Sequence, residues 1–122
     1  AEKLQKRAAR IGFDWASIDG VKRKLYEEIN ELEEAIQAGN SVDIEEEFGD
    51  ILFSAVNLGR FLGIESETAL RKATRKFTER FQYIEDRLRK EQLKFEEQSA
   101  DTLEKLWEEA KGAKKNRAPK HP

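Results

Sequence analysis

Apolar positions recur along the chain at threes and fours, and no stretch alternates as a strand would. Val21, Leu25, Ile29, Leu32 and Ile36 form one helical stripe, and Ile44, Phe48, Ile51, Ala55, Leu58 and Leu62 form a second. Ala69, Leu70, Ala73, Phe77, Phe81, Ile84 and Leu88 form a third. Leu103, Leu106, Trp107 and Ala110 mark a shorter last helix, and the charged stretch Glu2 to Arg10, with Leu4, Ala8 and Ala9, a short first one. The pattern predicts an all-α fold, an antiparallel bundle of four to five helices with short connections.

The breaks carry their own signals. A helix is expected to begin around Ser17 to Gly20, where Ser17 and Asp19 can cap free N–H groups. Gly39 suits a left-handed C-terminal position, and Ser41 or Asp43 the next cap. Gly63-Ile64 closes the second stripe, Ser66 with Glu67 opens the third, and Ser99 and Asp101 open the last helix. Ile11-Gly12-Phe13-Asp14-Trp15 reads as an ordered connector whose aromatics either cover one end of the core or act as a lid. From Ile51 to Leu62 the helix is apolar on nearly every side, which predicts burial, central in the domain or in a subunit interface. Residues 1–110 are assigned to one helical domain. The basic stretch Lys111 to Pro122, with Pro119, Pro122 and no periodicity, is assigned to a disordered tail or leftover linker.

Composition narrows the function classes. With 122 residues the chain is large enough for one core. It is 39% charged, yet the net charge is only −2, so no general attraction to nucleic acid or anionic membrane is expected. No apolar run reaches the ~18 residues of a membrane span. No signal peptide is visible, and a cytoplasmic location is expected. The absence of cysteine excludes disulfides and thiolate metal sites, and the single histidine, His121, lies in the tail. There is no methionine, even at position 1, so the chain reads as a processed or excised piece. Its Lys/Glu richness hints at a heat-adapted source.

Two acid-rich clusters carry the candidate chemistry: Glu27-Glu28-Ile29-Asn30-Glu31 and Glu45-Glu46-Glu47-Phe48-Gly49-Asp50. Glu28 and Glu31 share a helix face, as do Glu47 and Asp50. At ~100° per residue, Glu28 lies roughly 60° from Leu25 and Glu47 roughly 60° from Ile44. Two successive antiparallel helices would thus present matched carboxylate pairs on corresponding flanks. Converging carboxylates repel unless a cation compensates, and an all-oxygen set suits Mg²⁺. A di-iron carboxylate bundle would need Glu-x-x-His pairs, which no helix here contains. The competing reading is two solvated helix faces. Asn57, on the Asp50 line within an apolar helix, needs a partner for its amide. Lys76 and Arg80, one turn apart, and Lys24, one turn before Glu28, either clamp a polyphosphate or pair with the acidic helices. Trp107 either stacks on a base or caps the core.

These motifs resemble the MazG family of all-α nucleoside triphosphate pyrophosphohydrolases, in which Glu-Glu-x-x-Glu is followed by Glu-x-x-Asp. The chain has Glu27-Glu28-Ile29-Asn30-Glu31 and Glu47-Phe48-Gly49-Asp50. Its flanks match as well: Gly12-Phe13-Asp14-Trp15, Gly49-Asp50-Ile51-Leu52-Phe53, Val56-Asn57-Leu58, Lys76-Phe77, Arg80-Phe81 and Leu106-Trp107-Glu108. The similarity runs over about residues 5 to 110 and is strongest to the C-terminal, catalytic half of a two-domain member. One departure is Thr74, where the family pattern has asparagine. The resemblance implies Glu28, Glu31, Glu47 and Asp50 as Mg²⁺ ligands, with Lys24, Glu27, Glu46, Asn57, Lys76, Arg80 and Trp107 around a nucleoside triphosphate. It implies hydrolysis of NTPs or dNTPs to NMP and pyrophosphate by attack of a metal-activated water at the α-phosphate. Glu46 or Glu47 would accept the proton, and the chain would act as a homodimer. The alternative is a degenerate helical dimerisation or protein-interaction module, which would be indifferent to metal and to loss of the acidic residues.

Overall fold

A two-residue hinge sets the geometry of the first half of the molecule. Gly39 adopts φ 72°, and its N–H reaches back to the carbonyls of Ala35 and Ile36. Asn40 then caps the following helix, its Oδ1 accepting from the N–H groups of Val42 at 3.1 Å and Asp43 at 3.3 Å. The cap expected at Ser41 or Asp43 therefore falls earlier, because Ser41 is already the first helical residue. Asn40→Ala is expected to lower stability by about 1 kcal/mol, measured as a shift of the urea midpoint at unchanged slope.

The computed structural model describes the backbone of residues 1–117 and the side chains of residues 1–113. It contains α1 (Glu2–Arg10), α2 (Ile18–Ala38), α3 (Ser41–Phe61), α4 (Ser66–Lys90) and α5 (Ala100–Arg117), with a 3-10 turn at Phe95–Glu97. No strand occurs among the described residues, so the all-α expectation holds. No helix among them is long and apolar enough to cross a membrane. The chain groups into two compact units, Ala1–Ala69 and Leu70 onward, with α4 beginning in the first.

In the first unit α2 and α3 pack along a polar seam. On α2 the buried positions are Gly20, Val21, Glu28 and Ala35, the last three spaced by sevens on one face. On α3 the matching line is Glu47, Asp50, Ser54 and Asn57, of which Ser54 and Asn57 are buried and Glu47 half-buried. Of the first two expected apolar stripes only Val21 is fully buried. Ile36 is 56% exposed, and Phe48 and Leu52 are each 53% exposed. The central burial expected for Ile51 to Leu62 is therefore not what forms within the chain. Periodicity locates an apolar arc, but the neighbouring helix decides which part of that arc it covers.

The connector behaves similarly. Ile11 and Phe13 are more than four-fifths exposed, so this segment does not seal an end of the core. Trp15 lies with its ring edge against Gly20, where an added Cβ would sit 3.1 Å from the Trp15 Cε3. Gln5 ties α1 down by donating from Nε2 to the Phe53 carbonyl at 2.9 Å.

In the second unit Ile84 and Leu88 of α4 pack with Leu106 of α5, flanked by Phe95, Leu103 and Trp107. Phe95 brings its ring 5.2 Å from that of Phe81. Ser99 opens α5, its Oγ accepting from the Thr102 N–H at 3.1 Å. Arg87 of α4 pairs with Glu109 of α5, to which Tyr83 also donates at 3.3 Å. Helix α5 continues to Arg117, so the stretch expected as tail is helical as far as that residue. The remainder of the expected tail, 118–122 with His121, lies outside the described residues.

Candidate functional site

The two acidic motifs meet across the α2–α3 seam. One oxygen each from Glu28, Glu47 and Asp50 lies within 4.8 Å of the others. Glu31 is near enough to act on the carboxyls of Glu28 and Glu47, although it is not part of that three-residue group. Glu28 is only 4% exposed and is held by Lys24, whose Nζ lies 2.9 Å from its Oε1. The second oxygens of Glu28 and Glu47 are buried with no hydrogen-bond partner.

The electrostatics follow from this crowding. The Lys24 ammonium is the main cause that holds the Glu28 carboxyl below its usual range. Glu47 goes the other way, pushed up to about 7 by burial and then by the neighbouring carboxylates Glu31 and Glu28. Two orphaned buried oxygens and a carboxyl that resists ionisation are costly features in a folded protein. A hard divalent cation among these oxygens would remove both costs, and an all-carboxylate donor set is the kind that Mg²⁺ or a similar ion takes. The residues present fit such an ion.

The other expected residues take varied positions. Glu27 and Glu46 are exposed, and Glu27 lies 3.8 Å from the Lys24 ammonium. Asn57 is buried and its Oδ1 accepts from Arg60 Nε at 3.1 Å and Nη2 at 2.7 Å. Arg60 in turn grips both oxygens of Asp14, at 2.6 and 3.1 Å, and holds that carboxyl below its usual range. Sequence reading flagged Asn57 but missed Arg60 and Asp14. The Asn57–Arg60 spacing of one helical turn was a readable signal, whereas the link to Asp14 spans 46 residues. Lys76, Arg80 and Trp107 all belong to the second unit. Lys76 is exposed. The Arg80 guanidinium lies 5.3 Å over the Trp107 ring, with its Nε buried and unpartnered. Trp107 also packs 5.3 Å from the Phe77 ring, so within its unit it serves the core.

A family model described as the MazG nucleotide pyrophosphohydrolase domain matches residues 17–84, a span that holds both acidic motifs. The chain is 49% identical over 112 residues to a Thermotoga maritima protein named nucleoside triphosphate pyrophosphohydrolase/pyrophosphatase MazG. That alignment covers 92% of this chain and 43% of the relative. A nucleoside triphosphate pyrophosphohydrolase of Escherichia coli K12 is 43% identical over 113 residues, covering 91% of this chain and 43% of the relative. The chain thus spans under half the length of these curated relatives. Its fold is similar to the crystal structure of a mazG-related protein from Thermotoga maritima, with TM-score 0.64 and 28% identity, covering 90% of this chain and 95% of that one. With the family model matched over more than half its length and the acidic motifs of that match converging on one seam, the chain belongs to the MazG family.

Proposed function

We propose that this chain hydrolyses nucleoside triphosphates, NTP or dNTP, to the monophosphate and pyrophosphate in a Mg²⁺-dependent reaction. The observation that carries this reading is the convergence of Glu28, Glu47 and Asp50 with two buried oxygens unpartnered. The names of the relatives, which share most of this chain, support the choice of bond.

Glu28, Glu47 and Asp50, with Glu31 beside them, would hold the ion. Bound there, Mg²⁺ supplies Lewis acidity toward phosphoryl oxygens and lowers the pKa of a coordinated water. Glu46, one residue from Glu47 and outside the converging group, takes the proton of the attacking water, with Glu47 as the alternative acceptor. Lys24 is shared between Glu28 and Glu27 and turns to a phosphate oxygen when those carboxylates are otherwise engaged. Lys76 and Arg80 offset charge on the departing pyrophosphate. Trp107 acts on the nucleotide through Arg80, whose guanidinium it orients. The half-exposed apolar residues of α3, Phe48 and Leu52 among them, are the face by which two copies pair as a homodimer.

The test is a mixed panel of NTPs and dNTPs with Mg²⁺ and with chelator, the products identified by ³¹P NMR. Pyrophosphate released only with the divalent ion is the expected result. Orthophosphate as product, or turnover untouched by chelation, would overturn the reading. Glu46→Gln should lower kcat by roughly a hundred- to ten-thousandfold while Mg²⁺ binding persists; full kcat would move the proton acceptor to Glu47.

A further inference from the structure

Polar contacts rather than a core fasten α1 and the connector to the rest of the first unit. Gln5, 6% exposed, is the one buried residue of α1. Its Nε2 donates to the Phe53 carbonyl, while its Oε1 is buried with no partner. An orphaned acceptor offsets much of what that one hydrogen bond contributes. Leu4, Ile11 and Phe13 are all more exposed than buried, so they add little apolar burial to the attachment. Near the start of α1, the Glu2 carboxylate accepts from the Ser66 N–H at 3.5 Å, a long hydrogen bond.

Open space lies under this segment. A cavity of about 640 Å³ has α1 and the connector as one wall, through Leu4, Gln5, Ala8, Phe13 and Trp15, and α2 and α3 as the other. A wall over a void lacks the packed atoms that would resist its movement. Segments with so few buried apolar contacts open locally at a small fraction of the global unfolding cost. Lys24 lines the cavity and at the same time bonds Glu28, so the space reaches the carboxylate group.

The segment has a pivot and a latch. At the pivot, Trp15 rests its ring edge on Gly20 in the first turn of α2. Ser17, extended at φ −154° and ψ 165°, makes no side-chain bond to the free end of that helix. Gly12, at φ 91° with nothing near the place a Cβ would take, is a second point of bending between α1 and the connector. The latch is Arg60. It clasps both oxygens of Asp14 and also holds the Oδ1 of buried Asn57, so it ties the connector to a fixed point on α3. A forked guanidinium–carboxylate pair is a strong polar contact. This one stays within reach of water on both sides, so it parts without leaving a bare buried charge.

We propose that α1 and the connector form a strap that swings away from the α2–α3 pair about Trp15, with the Arg60–Asp14 pair as its latch, and that unlatching admits the substrate to the carboxylate group. What the strap admits rests on the pyrophosphohydrolase reading above; the opening itself does not.

Hydrogen exchange read by mass spectrometry tests the opening without turnover. The hydrogen-bonded amides from Gln5 to Phe13 should exchange together, about a hundredfold faster than those of the α2–α3 seam. Asp14→Asn keeps the shape and drops the charge. It should speed exchange in the strap about tenfold and leave α2 and α3 unchanged. Salt at about 1 M, where the screening length is about 3 Å, should speed the strap of the parent and not that of the variant. With Mg²⁺, α,β-methylene-ATP, which the reaction cannot cleave, should slow the strap amides of the parent. Its association rate should level off with concentration at the opening rate, and the plateau should be higher in Asp14→Asn. Strap amides that exchange no faster than the seam would overturn the strap. So would an Asp14→Asn effect spread evenly over the unit, which is plain loss of stability. An analogue that binds without slowing these amides, or associates equally fast with parent and variant, would overturn the gate. Orthophosphate as product in the hydrolysis panel would overturn the reaction and leave the exchange result standing.

Discussion

In metal-free buffer at pH 8, Glu47→Gln is expected to melt at a higher temperature than the unsubstituted chain, and with Mg²⁺ supplied to hydrolyse about a hundred- to a thousandfold more slowly. Both effects have one source. Burial and the carboxylates of Glu31 and Glu28 push the Glu47 carboxyl from 4.5 up to about 7 in the folded state. Between those values the unfolded chain has released this proton while the folded chain keeps it. The unfolded state therefore binds fewer protons, and this group's contribution makes stability fall as pH rises across that window, then level off. A glutamine keeps the size and removes the charge, so the variant should show a flatter pH dependence above pH 4.5. Adding Mg²⁺ should reverse the ranking. The intact chain gains stability with ion concentration by mass action, and the variant, short of one carboxylate, gains less. Thermal scans from pH 5 to 8, with chelator and with Mg²⁺, read all of this. A variant less stable than the parent without metal, or stabilised equally by Mg²⁺, would show that these carboxylates do not repel one another around an ion site.

Much of that site was legible in the chain because helical phase is a short-range property. Glu28, Glu47 and Asp50 were singled out by their offset from the apolar stripes, and the structure brings them within 4.8 Å. Gly39 announced its turn for the same local reason. Other features were set by partners far along the chain. Gln5 sits in a helix that reads as charged on most sides, yet α3 buries it through the Phe53 carbonyl. Asp14 looked like a loop residue until Arg60, 46 positions away, was found on both its oxygens. The largest departure concerns α3. From Ile51 its sequence is apolar nearly all round, and hydrophobicity records that some surface must cover it without saying which. Within one chain the seam takes the polar line Glu47, Asp50, Ser54 and Asn57, and leaves Leu52 and Phe53 about half exposed.

That uncovered face leads to the second large effect. On the pairing proposed above, Leu52→Asp is expected to leave a monomer at micromolar concentration. Leu52 suits the test because it is 53% exposed in the single chain and two residues clear of the nearest carboxylate of the site. In a chain that stays alone, an exposed helical leucine replaced by aspartate changes stability by only about 0.5 kcal/mol. In an interface that closes over it, the same carboxylate would be buried without a partner, at several kcal/mol. A loss near 4 kcal/mol weakens association by about a thousandfold. Sedimentation should therefore show half the parent mass, and the melting temperature should cease to rise with protein concentration. A variant that keeps the parent mass and melting behaviour would exclude this face as the interface. The monomer also separates pairing from chemistry. All of Glu28, Glu47 and Asp50 come from one chain, so its Mg²⁺ binding should persist. If hydrolysis disappears while Mg²⁺ and the nucleotide analogue still bind, a second copy supplies a group that acts in the reaction rather than one that holds the ion.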